Sequence, residues 1–472
     1  MAPGETLGQS GVQEHIQRFL DEEMDSITSP GIVLLSNEVL RSPSYIKEYY
    51  LHNDYEPAWI YQNGIRKSCD SIIKVLKQAG YNGLNPEYYH LSLIDSLYTD
   101  YKNHARNNND QSSFNTCLNL ELLLTDAFIT YSSDLYAGHI HSINENVEWE
   151  SHLSGLNIAD SLKKVAENNC LSNVVANFSC MHKGYIQLKN ELKKYIDIGA
   201  YKADTGLNKE HFKQITLNME RWRWLPHIMA QPYIMVNIAD FSMQVIDSNK
   251  AVMGMKIIVG KTYTRTPLFN AKMTYLVLSP YWEIPPKIAI KEILPEEKKD
   301  KEYLAKNNIE VYESWKPGAN KISPDSVNWD SISPKKLTYR FRQTPGPWNA
   351  LGRIKFMFPN KYNVYLHDTP QPQLFLKKER TFSHGCMRIE KPIELALYLL
   401  KSDTSWDKES LLSTLDTISN QVVILPKPIY VYVCYWTAWI DTNGEINFRP
   451  DIYEYDKRLQ TAMDIIGQPA EE

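Results

Sequence analysis

The residues best placed to do chemistry lie in RTFSHGCMRIEKP, residues 380–392, where Cys386 follows Ser383, His384 and Gly385. A second histidine, His367, lies nineteen residues upstream at the end of the alternating run NVYLHD. A cysteine nucleophile needs its thiolate, a base to generate it and donors for an oxyanion. His367 at a strand end can be aimed and held, and the segment after it is long enough to loop out and return. Gly385 lets backbone approach a substrate closely, and the amides around Gly385 and Cys386 can point at one carbonyl oxygen. Arg388, two residues past Cys386 on an extended chain, shares its side and can favour the thiolate or grip a substrate carboxylate. Two other readings stay open at this point. Cys386 can be a buried structural thiol, or His367, His384 and Cys386 can ligate zinc, although no fourth ligand is evident.

The elements that must position these residues follow from pattern. Residues 12–205 read as helical, because VQEHIQRFLDEEM, DSIIKVLKQA, LNLELLLTDAFITYSSDLY and GYIQLKNELKKYIDI repeat apolar residues at intervals of three and four. Breaks fall at GLNPEYY (83–89) and AGHIHSINENVEW (137–149); His139 and His141 in the second break read as surface histidines. After LNMERWRWLP the pattern alternates, with a hairpin turn near Asp247–Lys250 and strands through MTYLVLSPYW and IKFMFPNKYNVYLHD. A proline- and charge-rich insertion separates those strands, with a helical piece near DKEYLAKNN, and it reads as a lid. PIELALYLL is a short helix, and LPKPIYVYVCYWTAWIDTNGEINFR is a hairpin turned at Thr442–Gly444. The fold class is α+β, with a helical scaffold over 1–215 and a β-rich catalytic domain over 216–428. Its capping insertion covers about 283–345, and a C-terminal hairpin extension over 429–472 packs back on the rest.

Composition narrows the partners. A net charge of −5 and a pI of about 6.2 argue against nucleic acid. The apolar run Ile429–Ile440 is too short for a membrane helix, which needs roughly twenty residues, so it reads as a buried strand. No signal peptide is visible in MAPGETLGQSGVQEHIQ. Six cysteines form no CxxC pair, and Cys170 and Cys180 are close enough to bridge or to remain two thiols.

Residues 367–388 resemble the signature of the L,D-transpeptidases: a histidine, a gap, then Ser/Thr-His-Gly-Cys. NMERWRWLP, VGKTYTRTPLF, LSPYWEIPPKIAIKEILP, RQTPGPWNALGRIKFMFPNKYNVYLHDTP and YWTAWIDTNGEINFRPDIYEYD resemble the large periplasmic, YcbB-like group with a YkuD-type catalytic domain, and LTDAFITYSSDLYAGHI resembles its scaffold. The resemblance implies peptidoglycan stem peptides as substrate, 3→3 links between diaminopimelate residues, a Cys386 thioester and acylation by carbapenems. Water as acceptor would make a carboxypeptidase, and a vestigial site would leave a wall-binding scaffold. It implies His367 as base, with its tautomer fixed by a backbone carbonyl of Asp368 or the adjoining loop. His384 is the competing base, because residues i and i+2 of a strand share a face, and otherwise a supporting group on the oxyanion side. Arg388, Ser383, Tyr365, Tyr281 and Trp282 fall on the implied substrate side. Arg388 stands where the wider family has Asn, as in the YcbB-like group. No cofactor or metal is implied. Partners implied are wall-synthesis or wall-anchored proteins, and work on the wall implies export to the periplasm. The peptidoglycan-binding helical module usual in that group is not evident, since KKYIDIGAYKADTGLN runs almost directly into LNMERWRWLP.

Overall fold

The computed structural model describes residues 9–24, 34–35, 38–61, 64–103, 111–140, 147–148, 157–199, 206–332 and 337–466. His141 and the segment 200–205 lie outside the described residues. The chain forms two compact units, one of residues 1–145, 149–228 and 436–472, the other of residues 146–148 and 229–435.

The first unit is helical: α1 (Gln9–Arg18), α2 (Pro43–His52), α3 (Ser68–Lys77), α4 (Leu91–Asn103), α5 (Gln111–Ala137), α6 (Ile158–Asn168), α7 (Leu171–Phe178), α8 (Lys183–Asp197) and α9 (Gly206–Arg223). Helix α5 is apolar around most of its circumference, with Leu120, Leu122, Leu123, Leu124, Ala127 and Phe128 fully buried, so it forms the centre of the unit. A buried carboxylate is costly without partners, and the three on α5 each hold a neighbouring segment. Glu121 accepts the amides of Ala58, Trp59 and Ile60, and burial pushes its carboxyl up to about 7. Asp126 accepts the amides of Arg41 and Ser42 and meets His90 Nε2 at 2.7 Å. Asp134 accepts from Tyr89 and meets His139 Nδ1 at 2.6 Å, which accounts for His139 as a partly buried structural residue rather than a surface one. Helix α9 continues through position 215, where the sequence pattern divided the chain, because Ile215 and Met219 bury against α8. The C-terminal hairpin of Ala438–Ile440 and Ile446–Phe448 and the helix Tyr455–Ile466 complete this unit. Cys170 and Cys180 are separate thiols, reaching the carbonyls of Lys164 and Trp222.

The second unit is β-rich. Its strands are β1 (Tyr233–Asn237), β2 (Ser242–Asp247), β3 (Lys250–Gly260), β4 (Leu268–Leu278), β5 (Trp282–Glu283), β6 (Ile309–Tyr312), β7 (Lys321–Ile322), β8 (Arg340–Gln343), β9 (Ile354–Met357), β10 (Leu366–His367), β11 (Thr381–Ser383), β12 (Met387–Ile389) and β13 (Gln421–Cys434). The main sheet runs β9-β10-β12-β3-β2-β1-β13-β4, and β4 pairs again with β9, so the sheet closes on itself around Phe356, Leu366, Met387 and Ile257, all fully buried. Strand β11 adds to β3 outside that path. Ser248 and Asn249 turn β2 into β3 with positive φ at both central positions, the geometry that matches the twist of a tight hairpin. The apolar run 429–434 belongs here. It pairs parallel with β1 and antiparallel with β4, so it is not the first strand of the C-terminal hairpin, which starts at Ala438. Helices α10 (Pro392–Leu400) and α11 (Lys408–Asp416) lead into β13; α11 starts with a reciprocal cap between Asp407 and Ser410.

Between β4 and β9 the insertion folds as a cap with a sheet of its own, β5-β8-β6-β7, all antiparallel. Its core is Ile284, Ile293, Leu304, Val311, Trp329 and Phe341. One helical run from Pro286 to Lys299 crosses it, with a π turn at Ala289–Ile293.

Candidate active site

The register of three strands assembles the site. Strand β10 lies parallel to β12, with Leu366 opposite Met387 and His367 opposite Arg388. It lies antiparallel to β9, with Lys355 opposite His367 and Phe356 opposite Leu366. Side chains alternate along a strand. Phe356, Leu366 and Met387 therefore face inward and are fully buried. Lys355, Tyr365, His367, Cys386 and Arg388 face the other way, together.

His367 is 4% exposed, and its Nδ1 contacts the carbonyl oxygen of Asp368 at 2.6 Å. That carbonyl takes the Nδ1 proton and leaves Nε2 as the acceptor, the tautomer a base needs. The Asp368 carboxylate does not touch the imidazole. It accepts the amides of Arg353 and Thr369, each at 2.7 Å, and burial raises its pKa. This fixes the strand end and the turn after it. Gly352 makes room, since its φ is +64 and a Cβ there would sit 2.4 Å from the Asp368 carboxyl carbon. Burial, and then the nearby Arg388 guanidinium, push the His367 imidazole down to about 3.

Cys386 is half-buried and its thiol reaches the Asn363 carbonyl at 3.8 Å. Tyr365 lies beside Cys386 through the β10–β12 register, and its backbone and hydroxyl favour the ionised sulfur. Burial raises the thiol's pKa, while the Tyr365 hydrogen bonds and the Lys355 charge pull it back. The resting pair is a neutral thiol and a neutral imidazole.

The turn that carries Cys386 is built from the inside. Ser383 is buried, and its hydroxyl donates to the Cys386 carbonyl while accepting the Gly385 amide at 3.2 Å. The Ser383 carbonyl accepts from the Lys261 amide and the Thr264 hydroxyl, and the Thr266 hydroxyl donates to the Gly385 carbonyl at 2.8 Å. Ser383 is thus committed to the turn rather than turned toward a substrate, and the Gly385 amide is occupied. The Cys386 amide has no partner among the described residues and remains for an oxyanion.

His384 does not share the face of Cys386. Strand β11 ends at Ser383, and Gly385 has φ +118, so the alternation expected of a continuous strand is broken between them. His384 meets Glu292 of the cap's π turn at 2.6 Å, away from the sulfur. Among the described residues, His367, His384 and Cys386 do not gather as a metal-ligand set, and His384 is engaged by Glu292. Arg388 meets Gln371 at 3.2 Å through Nη1, its Nε is buried without a partner, and no carboxylate neutralises it among the described residues. Tyr281 is exposed at the cap's edge under the Arg342 guanidinium, 4.1 Å from the ring centroid. Trp282 packs into the cap core. Sequence reasoning missed Lys355 and Glu292. Lys355 alternates with apolar residues in IKFMF, but only the β9–β10 register shows which face it joins.

Residues 231–424 match the model of the L,D-transpeptidase catalytic domain, and residues 44–192 match that of the scaffold domain. A protein of Haemophilus influenzae named "Putative L,D-transpeptidase" is 32% identical over 299 residues, 63% of this chain and 57% of that protein. The match therefore spans little more than half of the relative's length. Residues 231–424 are an L,D-transpeptidase catalytic domain of the YkuD type, joined to a scaffold domain at residues 44–192.

Proposed function

We propose that the protein is a cysteine L,D-transpeptidase that forms 3→3 diaminopimelate cross-links in peptidoglycan from tetrapeptide donor stems. One observation carries the reading: Cys386 and His367 share a face of two paired strands, with the His367 Nδ1 proton committed to the Asp368 carbonyl. The Cys386 sulfur attacks the carbonyl carbon between the L-centre of diaminopimelate and D-alanine, and the thiol proton passes to His367 Nε2. The C–N bond breaks, the proton goes to the leaving amine, and D-alanine departs from a thioester. The side-chain amine of an acceptor diaminopimelate then attacks that thioester, gives up its proton through His367, and the sulfur recovers it. The Cys386 amide stabilises the oxyanion in both halves. Arg388, a cation without a carboxylate partner among the described residues, grips a carboxylate of the donor. Carbapenems acylate the same sulfur. Action on the wall puts the protein in the periplasm, where wall-synthesis or wall-anchored proteins are its expected partners.

Intact mass after mixing with a carbapenem tests the acyl-enzyme: one adduct is expected, absent in Cys386→Ala. No adduct on folded protein refutes it. Digestion of reacted peptidoglycan tests the transfer, and free tripeptide without 3→3 dimers would assign the thioester to water instead.

A further inference from the structure

A cysteine nucleophile usually shares its site with a cation that steadies the thiolate, most often a protonated imidazole. His367 cannot fill that role, because it is buried with Arg388 alongside and stays neutral at ordinary pH. Arg388 lies opposite His367 in the register, hydrogen-bonds to Gln371, and exerts its charge on the imidazole. A different cation stands over the sulfur's own neighbour. Lys355 projects from β9 on the same face, and its ammonium lies 3.9 Å from the centroid of the Tyr365 ring. The β10–β12 register, with the Met387 amide on the Tyr365 carbonyl at 3.1 Å, sets Tyr365 beside Cys386, and its hydroxyl acts on the thiol's ionisation. Lys355 forms no ion pair among the described residues; the Glu283 carboxylate, paired with Arg340 at 3.6 Å, acts on it only through longer-range charge. Its charge and that of Cys386 act on each other in both directions.

We infer that Lys355 supplies the positive charge for the Cys386 thiolate, acting through the ring and hydroxyl of Tyr365. Lys355 is a positioning residue, and Tyr365 is the group next to the sulfur in the strand register. When the S–H bond ionises in the resting protein, the proton leaves to solvent and the electron pair stays on sulfur. The Tyr365 hydroxyl then donates to that charge, and Lys355 above the ring offsets it. No electron changes hands. The inference requires Cys386 to be the reactive thiol and is independent of which acceptor resolves the thioester.

The test is alkylation of Cys386 by iodoacetamide in the full chain between pH 6 and 10, read by peptide mass so that the other five cysteines are scored separately. A unit charge that shifts a neighbouring thiol by about one pKa unit changes the thiolate fraction below that pKa by about tenfold. Lys355→Met is expected to slow Cys386 alkylation about tenfold at pH 7 and to move the profile's inflection upward, while Lys355→Arg keeps the wild-type profile. Tyr365→Phe is expected to move it in the same direction as Lys355→Met, because the ring and cation remain but the donor is gone. A purely structural Lys355 would lower thermal stability and leave the profile in place. Superimposable profiles of wild type and Lys355→Met overturn the inference. If Lys355→Met does not fold, an unshifted Tyr365→Phe profile overturns it. Lost cross-linking with these profile shifts intact would refute the transpeptidase reading and leave the inference standing.

Discussion

Replacing His367 by Gln keeps a neutral N–H donor near the Asp368 carbonyl and removes the titrating ring. In the folded protein the imidazole holds no proton until about pH 3, whereas in the unfolded chain it titrates near 6.5. Its folded pKa is depressed, so the unfolded chain binds more protons through that window. The resulting stability is fully present above about pH 6.5 and is lost as pH falls toward 3. Between pH 7.5 and pH 4.5 the loss from this one group is about 2.5 kcal/mol. Urea unfolding of wild type and His367→Gln at both pH values measures it, with protease-resistant catalytic-unit fragment as the readout. Buried Asp368, whose raised pKa opposes the trend, and His182 in the helical unit, which burial holds down to about 4, are common to both proteins and cancel. The wild-type catalytic unit should lose about 2.5 kcal/mol more than the variant. Parallel losses would mean that the folded imidazole takes up its proton near the ordinary value. A neutral resting pair would then be wrong.

Four further outcomes follow from single contacts. Ser383→Ala orphans the Gly385 amide and the Cys386 carbonyl in a buried turn and should cost about 1–3 kcal/mol, with slower carbapenem acylation measured by mass. Gly352→Ala combines positive φ with a collision at the Asp368 carboxyl and should lower the catalytic unit's melting temperature by several degrees, seen by calorimetry. Glu292→Gln should leave thermal stability within about 1 kcal/mol, because the pair with His384 is 32% and 48% exposed, while amide exchange across 289–299 speeds up. Arg388→Met should raise KM for a tetrapeptide donor while impairing an esterified, carboxylate-free thioester substrate much less; equal losses on both would remove the carboxylate-binding role.

The cysteine turn was legible because its chemistry is local: Ser383, Gly385, Cys386 and Arg388 lie within six residues, and His367 ends an alternating strand. Helices α3, α5 and α8 were legible for the same reason, since their burial follows periodicity within each segment. What escaped was set by partners distant in sequence. The strand 429–434 read as half of a C-terminal hairpin because its neighbours β1 and β4 lie more than 150 residues away. Local turn chemistry favoured the nearer pairing. Lys355 joins the site through a two-residue register with β10 that no pattern in IKFMF specifies. His384 read as a face-mate of Cys386 by alternation, and the positive φ of Gly385 between them cancels that rule. The same glycine that signalled chemistry also turned its neighbouring histidine toward the cap.

These features fit together through the charge on one face of the sheet. Lys355 and Arg388 flank His367 on adjacent strands, and both push its proton affinity down. The positive face keeps the proton off the imidazole, and burial holds it on sulfur against the pull of Lys355 until a substrate arrives. The thiolate is the form that oxidants and alkylating agents attack. A site that keeps Cys386 protonated at rest therefore protects it. The same two cations bias the face toward an anionic ligand, and a carboxylate settling at Arg388 removes one of the charges that hold His367 down. Imidazole basicity then rises at the moment a carbonyl carbon comes within reach of the sulfur.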